Sequence, residues 1–413
     1  MIKYFIQTIR FALILSFLPM LSIAQGFQVN LEGQKQISMG GTGTGSNLNE
    51  ATVFFNPGGI SLLKENYLSI GESTVFLNAS FTGANPSTYQ TTSNTISPPI
   101  QGYLVLGPKD AGIKFGFGIY NPFGGAYNWG NSWKGRYALE KLDLKSYFLQ
   151  PTISVRLSPE LGIGGGFIFA LGYVDLTRAI PLADANGTDG QSELSGHAAG
   201  YGYNLGIYYQ PTHEFSVGLS YRSHINMKTD QGTAIFNVPN SLFTSFPSPN
   251  GFTNTLPLPA SFNLGFGYKP SKVFSLAFDV NYVQWSIYKT LEFDFVTPTA
   301  TLTNSISPRN YKDAFDLRLG GEYKISPSFQ VRGGILYGAT AIPNGYVTPE
   351  TTDANRVGLS TGFGWAISHH LQLDASYLFE SIGPRTQTEV ETQLSGTYKT
   401  VTFIPGLGLT YHF

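Results

Sequence analysis

Short turns and long connections alternate along this chain, and no other feature limits its fold as much. From about residue 66 the segments between them repeat with period two. "HLQLDASYLFES" sets Leu371, Leu373, Ala375, Tyr377 and Phe379 against Gln372, Asp374, Ser376 and Glu380. "FSLAFDVNY" sets Phe274, Leu276, Phe278, Val280 and Tyr282 against Ser275, Asp279 and Asn281. "FSVGLSYR" behaves alike, with Phe215, Val217, Leu219 and Tyr221 on one side. One apolar face and one polar or glycine face is a strand signature, shared by soluble sandwiches and membrane barrels. The connections separate the two. Short turns occur at "GPKDAG", "LSPE", "QPTHE", "KPSK", "ISPS" and "ISHH". Long polar stretches lie at about 83–97, 121–142, 179–193, 231–256, 297–309, 341–353 and 381–394. Seven long connections and six short turns join fourteen strands. An even number of antiparallel strands, with short turns at one end and long loops at the other, is the outer-membrane pattern. Closure also removes the unpaired edges that lipid would not tolerate. The expected fold is all-β, a 14-stranded antiparallel transmembrane β-barrel spanning residues 65–413.

Residues 1–24 stand apart. Lys3 and Arg10 precede the apolar "FALILSFLPMLSI", and Ser22 and Ala24 offer small residues for cleavage before Gln25. This reads as a secretory signal peptide. Its removal takes the formal charge from −1 to −3. No later run of about 18 apolar residues could span as a helix. The low net charge argues against a nucleic-acid partner, and the absence of cysteine excludes disulfides and thiolate chemistry. Charged residues make up 12%, about half the usual share, as lipid-facing strands require.

A barrel of fourteen strands is too wide to fill with its own side chains, whereas eight strands suffice to do so. It leaks unless plugged. The spare segment is residues 25–64, upstream of the first strand, which we expect to form an N-terminal hatch. Within it "VFFNPGGISLL" breaks sharply at Asn56-Pro57-Gly58-Gly59. Pro57 removes a backbone donor, and the two glycines allow a tight turn.

The hatch resembles that of the FadL/TodX family of outer-membrane transporters for hydrophobic compounds. Gly26, Phe27, Gln28 and Asn30 match the family's mature start, and "MGGTGTG" its glycine-rich turn. Asn56 and Pro57 match its Asn-Pro-Ala motif, with Gly58 in place of alanine. The similarity continues through "YNPFGGAYNWGNSWKGRYALEKLDLKSYFLQPTISVRLSPELGIGGGF", "DVNYVQWSIYKTL" and "YKDAFDLRLGGEYKISPSFQVRGGILY". The terminal strand "GLGLTYHF" closes on Phe413, like the signal read by the bacterial barrel assembly machinery. The resemblance implies passive uptake of long-chain fatty acids or other hydrophobic molecules, without cofactor or metal, by a monomer in the outer membrane among lipid and lipopolysaccharide. Both mature termini are then periplasmic. It also implies that the Asn56–Gly58 motif sits against a kink in strand three, where the wall opens sideways.

The kink candidate is "GIYNPFGGAYNW". Strand parity runs through Ile113, Phe115, Phe117 and Ile119, then meets Asn121, Pro122, Phe123, Gly124 and Gly125. Proline inside a sheet is confined to edges, ends and bulges, so pairing fails here, either as a gap or as the strand's end. Phe123, Trp129, Trp133 and Tyr137 follow, and line a ligand slot or pack as loop and belt aromatics. For an anionic head group the candidates are Arg178 and Lys312. Arg178 shares parity with Gly162, Gly164 and Gly166, and Lys312 with Asp316, Arg318 and Glu322, so both should face the lumen. Basic residues at matching places contact the ligand carboxylate in the family. A lumenal salt bridge from Lys312 to Asp316 or Glu322 is the other reading.

Other chemistries fit poorly. "GGTGTGSN" lacks the lysine and strand–helix context of a phosphate loop. His369-His370 sits in a short turn and reads as polar surface rather than a metal site. Ser195 and His197 share parity, as a hydrolase would need, but no third member is evident. A general porin has no use for a forty-residue apolar hatch.

Overall fold

The computed structural model describes residues 26–413 except Asn47, Pro86, Ser87, Asn94, Lys109, Asp110, Ala111 and Ala185. The expected signal peptide lies outside the described residues. Fourteen antiparallel strands close into a barrel. In chain order they are β1 (Tyr67–Ser73, Val75–Gly83), β2 (Tyr89–Thr91, Thr95–Ser97, Ile100–Leu106), β3 (Ile113–Tyr120, Gly124–Asn128) and β4 (Lys141–Arg156). Then follow β5 (Leu161–Ile180), β6 (Gly190–Tyr209), β7 (Phe215–Arg222, Ile225–Asn237) and β8 (Asn250–Leu258, Ser261–Tyr268). The rest are β9 (Phe274–Val283, Thr290–Phe295), β10 (Ser305–Pro308, Ala314–Ser326), β11 (Phe329–Gly338), β12 (Arg356–Ala366), β13 (Leu371–Thr388) and β14 (Ser395–His412). β1 closes on β14, from Tyr67↔His412 to Gly83↔Gly396. At the short-turn rim Asn66 and Phe413 exchange two backbone bonds of 3.1 Å.

The period-two reading assigns the two faces. Phe115, Leu219, Leu359 and Phe403 point outward and are exposed, while their neighbours Lys114, Gly218, Ser360 and Thr402 are buried inside. An apolar exterior around a polar lumen is the arrangement that lipid demands. Most of the long connections are shorter than the sequence suggested, although the expected 341–353 extends to 339–355. The expected 179–193 shrinks to 181–189, and 381–394 to 389–394, because β5, β6 and β13 run on. Above the lipid the outward positions no longer need to be apolar, so the hydrophobic period fades while the hydrogen-bond ladder continues.

The hatch lies inside the barrel. It contains two short helices, α1 (Gln34–Ile37) and α2 (Thr52–Phe55), and a 3-10 helix (Pro57–Leu62). The Asn-Pro-Gly break is a capped helix start rather than a tight turn. The Asn56 side chain accepts from Gly58 N, and Pro57 occupies the first turn, where no donor is needed. Asn56 Nδ2 also donates to Thr44 O at 2.8 Å and to Ile207 O on β6 at 3.0 Å.

Inward-facing glycines receive the hatch backbone. A Cβ on Gly164 would lie 2.3 Å from Pro57 O, on Gly218 1.9 Å from Thr44 O, on Gly320 2.3 Å from Met39 O and on Gly334 2.1 Å from Gly40 N. Gly58 is itself confined: a Cβ there would lie 2.7 Å and 2.8 Å from the carbonyls of Gly206 and Gly162. Asn56–Gly58 therefore packs on β5–β7 rather than on the strand-three kink that the resemblance implied. Polar bonds add to this fit. Asp279 accepts from Gly43 N and Thr44 N at 2.9 Å each, and Arg318 donates to Gly41 O at 2.9 Å. Lys35 lies 3.3 Å from Glu322, which Arg332 also binds at 2.8 Å.

Two hatch carboxyls respond to pH. Burial pushes Glu32 up to about 7 against the pull of Arg222 and Arg318, and burial likewise pushes Glu50 up to about 7. Oε1 of Glu32 has no hydrogen-bond partner. The seated hatch thus binds more protons than a released one. This contribution to seating is fully present below about pH 4.5 and is lost as pH rises through about 7, worth on the order of a few kcal/mol. Hydrogen-exchange protection of residues 30–52, corrected for the intrinsic base-catalysed rate, should fall between pH 5 and pH 8. The double substitution Glu32→Gln, Glu50→Gln should flatten that profile, and an unchanged slope would refute the assignment.

Candidate ligand cavity and wall opening

The inner face is zoned along the barrel axis. Along β5 the inward positions run Gly162, Gly164 and Gly166 at the hatch, then Ile168 and Ala170, then Val174 and Leu176, and end at Arg178. β4 changes likewise from Ser154, Thr152 and Gln150 to Leu144 and Leu142. Above the hatch Leu142, Leu144, Val174 and Leu176 join Met227, Leu256 and Leu258 around a mainly apolar slot of about 100 Å³. It is of the order of the ~150 Å³ apolar cavity known to stay dry and take benzene.

Breaks in β9 and β10 furnish the rest of the slot. The chain leaves the ladder at 284–289 and 309–313 and turns Trp285, Tyr288, Arg309 and Tyr311 inward. Phe27 packs among them, 4.9 Å from Trp285 and 6.0 Å from Tyr288 between ring centres. Gly26 lies against Trp285 at a φ of 57°, so the first described residue is inside the barrel and not at the short-turn rim with Phe413.

Beside the slot the wall is incomplete. β2 and β3 are paired from Leu106↔Phe115 to Gln101↔Tyr120, and β3 then resumes at Gly124, paired to β4. Pro122 on one side and Pro98-Pro99 on the other lack the N–H that a ladder needs. Asn121 Oδ1 accepts from Ile100 N at 2.8 Å at one edge, and Asn128 O from Ser93 N at 2.8 Å at the other. The interruption is therefore a gap within β3 and not the strand's end. The hatch start fills it from inside. Val29 N donates to Pro122 O at 3.0 Å, and Gly124 N to Phe27 O at 3.1 Å. A cavity of about 370 Å³ runs here from Phe27 and Val29, past Pro98 and Pro99, to the exposed Tyr147 of the outer face. Phe123 lines both cavities.

The other sequence candidates are scattered. Trp129 and Trp133 stack at 4.7 Å in the outer loops and line neither cavity. Trp129 Nε1 instead donates to Pro349 O at 3.1 Å. Tyr137 and Arg178 line a vestibule of about 50 Å³ above the slot, where Tyr137 donates to Asp189 at 2.9 Å. Lys312 does not face the lumen cavities. It lies in the β10 break, where parity no longer holds, and is exposed. Asp316 pairs with Arg318 and Glu322 with Arg332 and Lys35, so neither takes Lys312. Two cations line the slot: Lys145, paired with Asp143 at 2.7 Å and half exposed, and Arg309, three positions before Lys312. Arg309 is the buried one. It is 5 % exposed and bound to Glu350 at 2.6 Å. The inward Leu/Val parity of β4, β5 and β8 and the Pro98-Pro99 pair were signals in the sequence for the slot and the gap. Nothing local marked Arg309. Ser195 and His197 lie on the outer side of β6, where no hydrogen bond joins them among the described residues; the His197 ring lies 5.3 Å from Tyr173.

The sequence profile of the family described as "Outer membrane protein transport protein (OMPP1/FadL/TodX)" matches residues 15–413. The chain belongs to this family. Among its relatives are a 47 kDa outer membrane protein of Pasteurella multocida, 24% identical over 88% of each chain, and the long-chain fatty acid transport protein of Salmonella typhi, 23% identical over 84% of this chain and 86% of that one. The fold is also that of a Pseudomonas aeruginosa FadL homologue, with a TM-score of 0.84 at 18% identity over 94% of this chain and 100% of that one. The toluene transporter TodX of P. putida gives 0.72 at 15% identity over 94% and 99%. The family relationship places this member of the OMPP1/FadL/TodX group in the outer membrane as a transport protein.

Proposed function

We propose that this protein takes up hydrophobic molecules passively, long-chain fatty acids foremost. Ligand enters from the vestibule holding Tyr137 and Arg178, is held in the slot, and leaves sideways through the β3 gap into the membrane. The observation that carries the fatty-acid reading is Arg309, a buried guanidinium on a slot lined mainly by Leu, Val, Met and aromatic side chains. Tail burial contributes about 0.8 kcal/mol per CH₂, and a guanidinium can clamp a carboxylate with two charge-assisted bonds. Gly26, Phe27 and the kink residues Asn121–Gly125 form the gate, while Asn56, Pro57 and Gly58 anchor the hatch behind it. The adjoining cavities, which share Phe27 and Phe123, support continuous passage. Uptake of neutral hydrocarbons is the second reading. It is favoured by the Arg309–Glu350 and Lys145–Asp143 pairs, in which both cations of the slot already hold a carboxylate.

Native mass spectrometry of the barrel, purified in detergent from its own membranes, tests this. Co-purified fatty acids that are lost on Arg309→Ala but retained on Lys312→Ala are the expected result. Neutral aromatics or alkanes would establish the second reading. An empty barrel that conducts ions freely would defeat both.

A further inference from the structure

Glu350 occupies a singular position. It lines the apolar slot, the wall cavity and the outer vestibule. Arg309 lines the slot and the vestibule. Their 2.6 Å ion pair therefore stands where vestibule and slot meet, beside Leu176, Leu291 and Phe293.

The two partners are held differently. Arg309 is pinned, with its backbone N donating to Lys289 O at 2.7 Å and its Nη1 to Pro308 O at 3.3 Å. The backbone beside Glu350 is also fixed. Trp129 Nε1 holds Pro349 O, and the Tyr311 hydroxyl holds Thr351 Oγ1 at 3.1 Å. Thr348 and Thr351 bond each other at 3.0 Å. The Glu350 side chain is the free member, and it is the more exposed of the pair, at 16% against 6%. It can swing by rotamer change toward the vestibule while Arg309 stays. A ligand carboxylate that takes Arg309 competes with Glu350 for it, since carboxylates sharing one buried guanidinium repel each other. A neutral ligand does not compete.

We infer that Glu350 is a specificity-determining residue: a resident carboxylate that competes with a ligand's own carboxylate for Arg309, and that sets the barrel's preference between anionic and neutral hydrophobic ligands. This rests on the uptake reading above. It also gives Trp129, which touches no ligand cavity, the role of a positioning residue for the Glu350 turn.

The test compares oleate with methyl oleate, the same tail without the charge, by calorimetric titration into the detergent-purified barrel. Glu350→Gln should tighten oleate roughly tenfold or more, as the competing charge is removed, and leave methyl oleate unchanged. The uncharged double variant Arg309→Gln, Glu350→Gln should abolish the acid-over-ester preference. Heat-modifiable gel mobility reports that each barrel has assembled. Equal shifts for acid and ester, or no shift, would overturn the role of Glu350 while ester binding upholds the uptake reading. If neither ligand binds the wild-type barrel, both fail.

Discussion

Replacing Gly218 by valine should turn a sealed barrel into a conducting one. Gly218 sits on the inner face of β7, and a Cβ there would lie 1.9 Å from Thr44 O and 2.6 Å from Asn56 Nδ2. The obstacle is backbone of the hatch, which no rotamer change can move. Overpacking of this kind costs about 1–3 kcal/mol where side chains can adjust, and here they cannot. The extra methyl groups lie away from the ladders to Tyr208 on β6 and Gly265 on β8, so strand pairing survives. The weaker element is the hatch, which must shift or leave. A lumen of this width then carries ions. Single-channel recording in planar bilayers, with heat-modifiable mobility to report assembly, should show stable conductance for Gly218→Val. The lipid-facing control Leu219→Ala should stay closed. A sealed Gly218→Val barrel would show that the glycine contacts do not seat the hatch.

Removing the Phe123 ring should shorten ligand residence by roughly tenfold or more, each tenfold corresponding to about 1.4 kcal/mol. The ring stands between the slot and the wall cavity, with centres 5.9 Å from Phe27, 6.0 Å from Phe148 and 6.2 Å from Trp285. It also lines a small polar cavity beside Arg222 and Arg318. Truncating a core phenylalanine to alanine costs about 3–5 kcal/mol of packing, and here the space it vacates joins three cavities. The backbone should hold, because Ser146 Oγ accepts from Phe123 N at 3.2 Å and donates to Phe123 O at 2.6 Å. Release of a pre-bound radiolabelled fatty acid from purified Phe123→Ala barrel measures the effect. Release at the wild-type rate would remove Phe123 from the gate.

These two residues also mark how far a sequence can be read. The break at Asn121–Gly125 was legible because proline cannot donate to a ladder. Its consequence was not, since the gap depends equally on Pro98-Pro99 across the strand pair and on Phe27–Val29 arriving from the hatch. The inward glycines were visible as the polar side of the period-two pattern. Which segment they receive depends on how the hatch threads the closed barrel. Parity put Arg178 on the inner side because β5 pairs with β6 without a bulge. It failed for Lys312 because counting by twos assumes a continuous strand, and β10 is interrupted at 309–313.

The sequence by itself determined the strand number, the lipid-facing side chains and the need for a plug. Those properties follow from backbone hydrogen bonding and hydrophobic period, which act within a strand and between neighbours. Only the tertiary structure decided where the ligand cavity and its buried ion pair lie. Arg309 and Glu350 are 41 positions apart, on the β10 break and a β11–β12 loop, and meet only once closure and register bring those segments over one slot. A contact of that kind leaves no periodic trace in the chain.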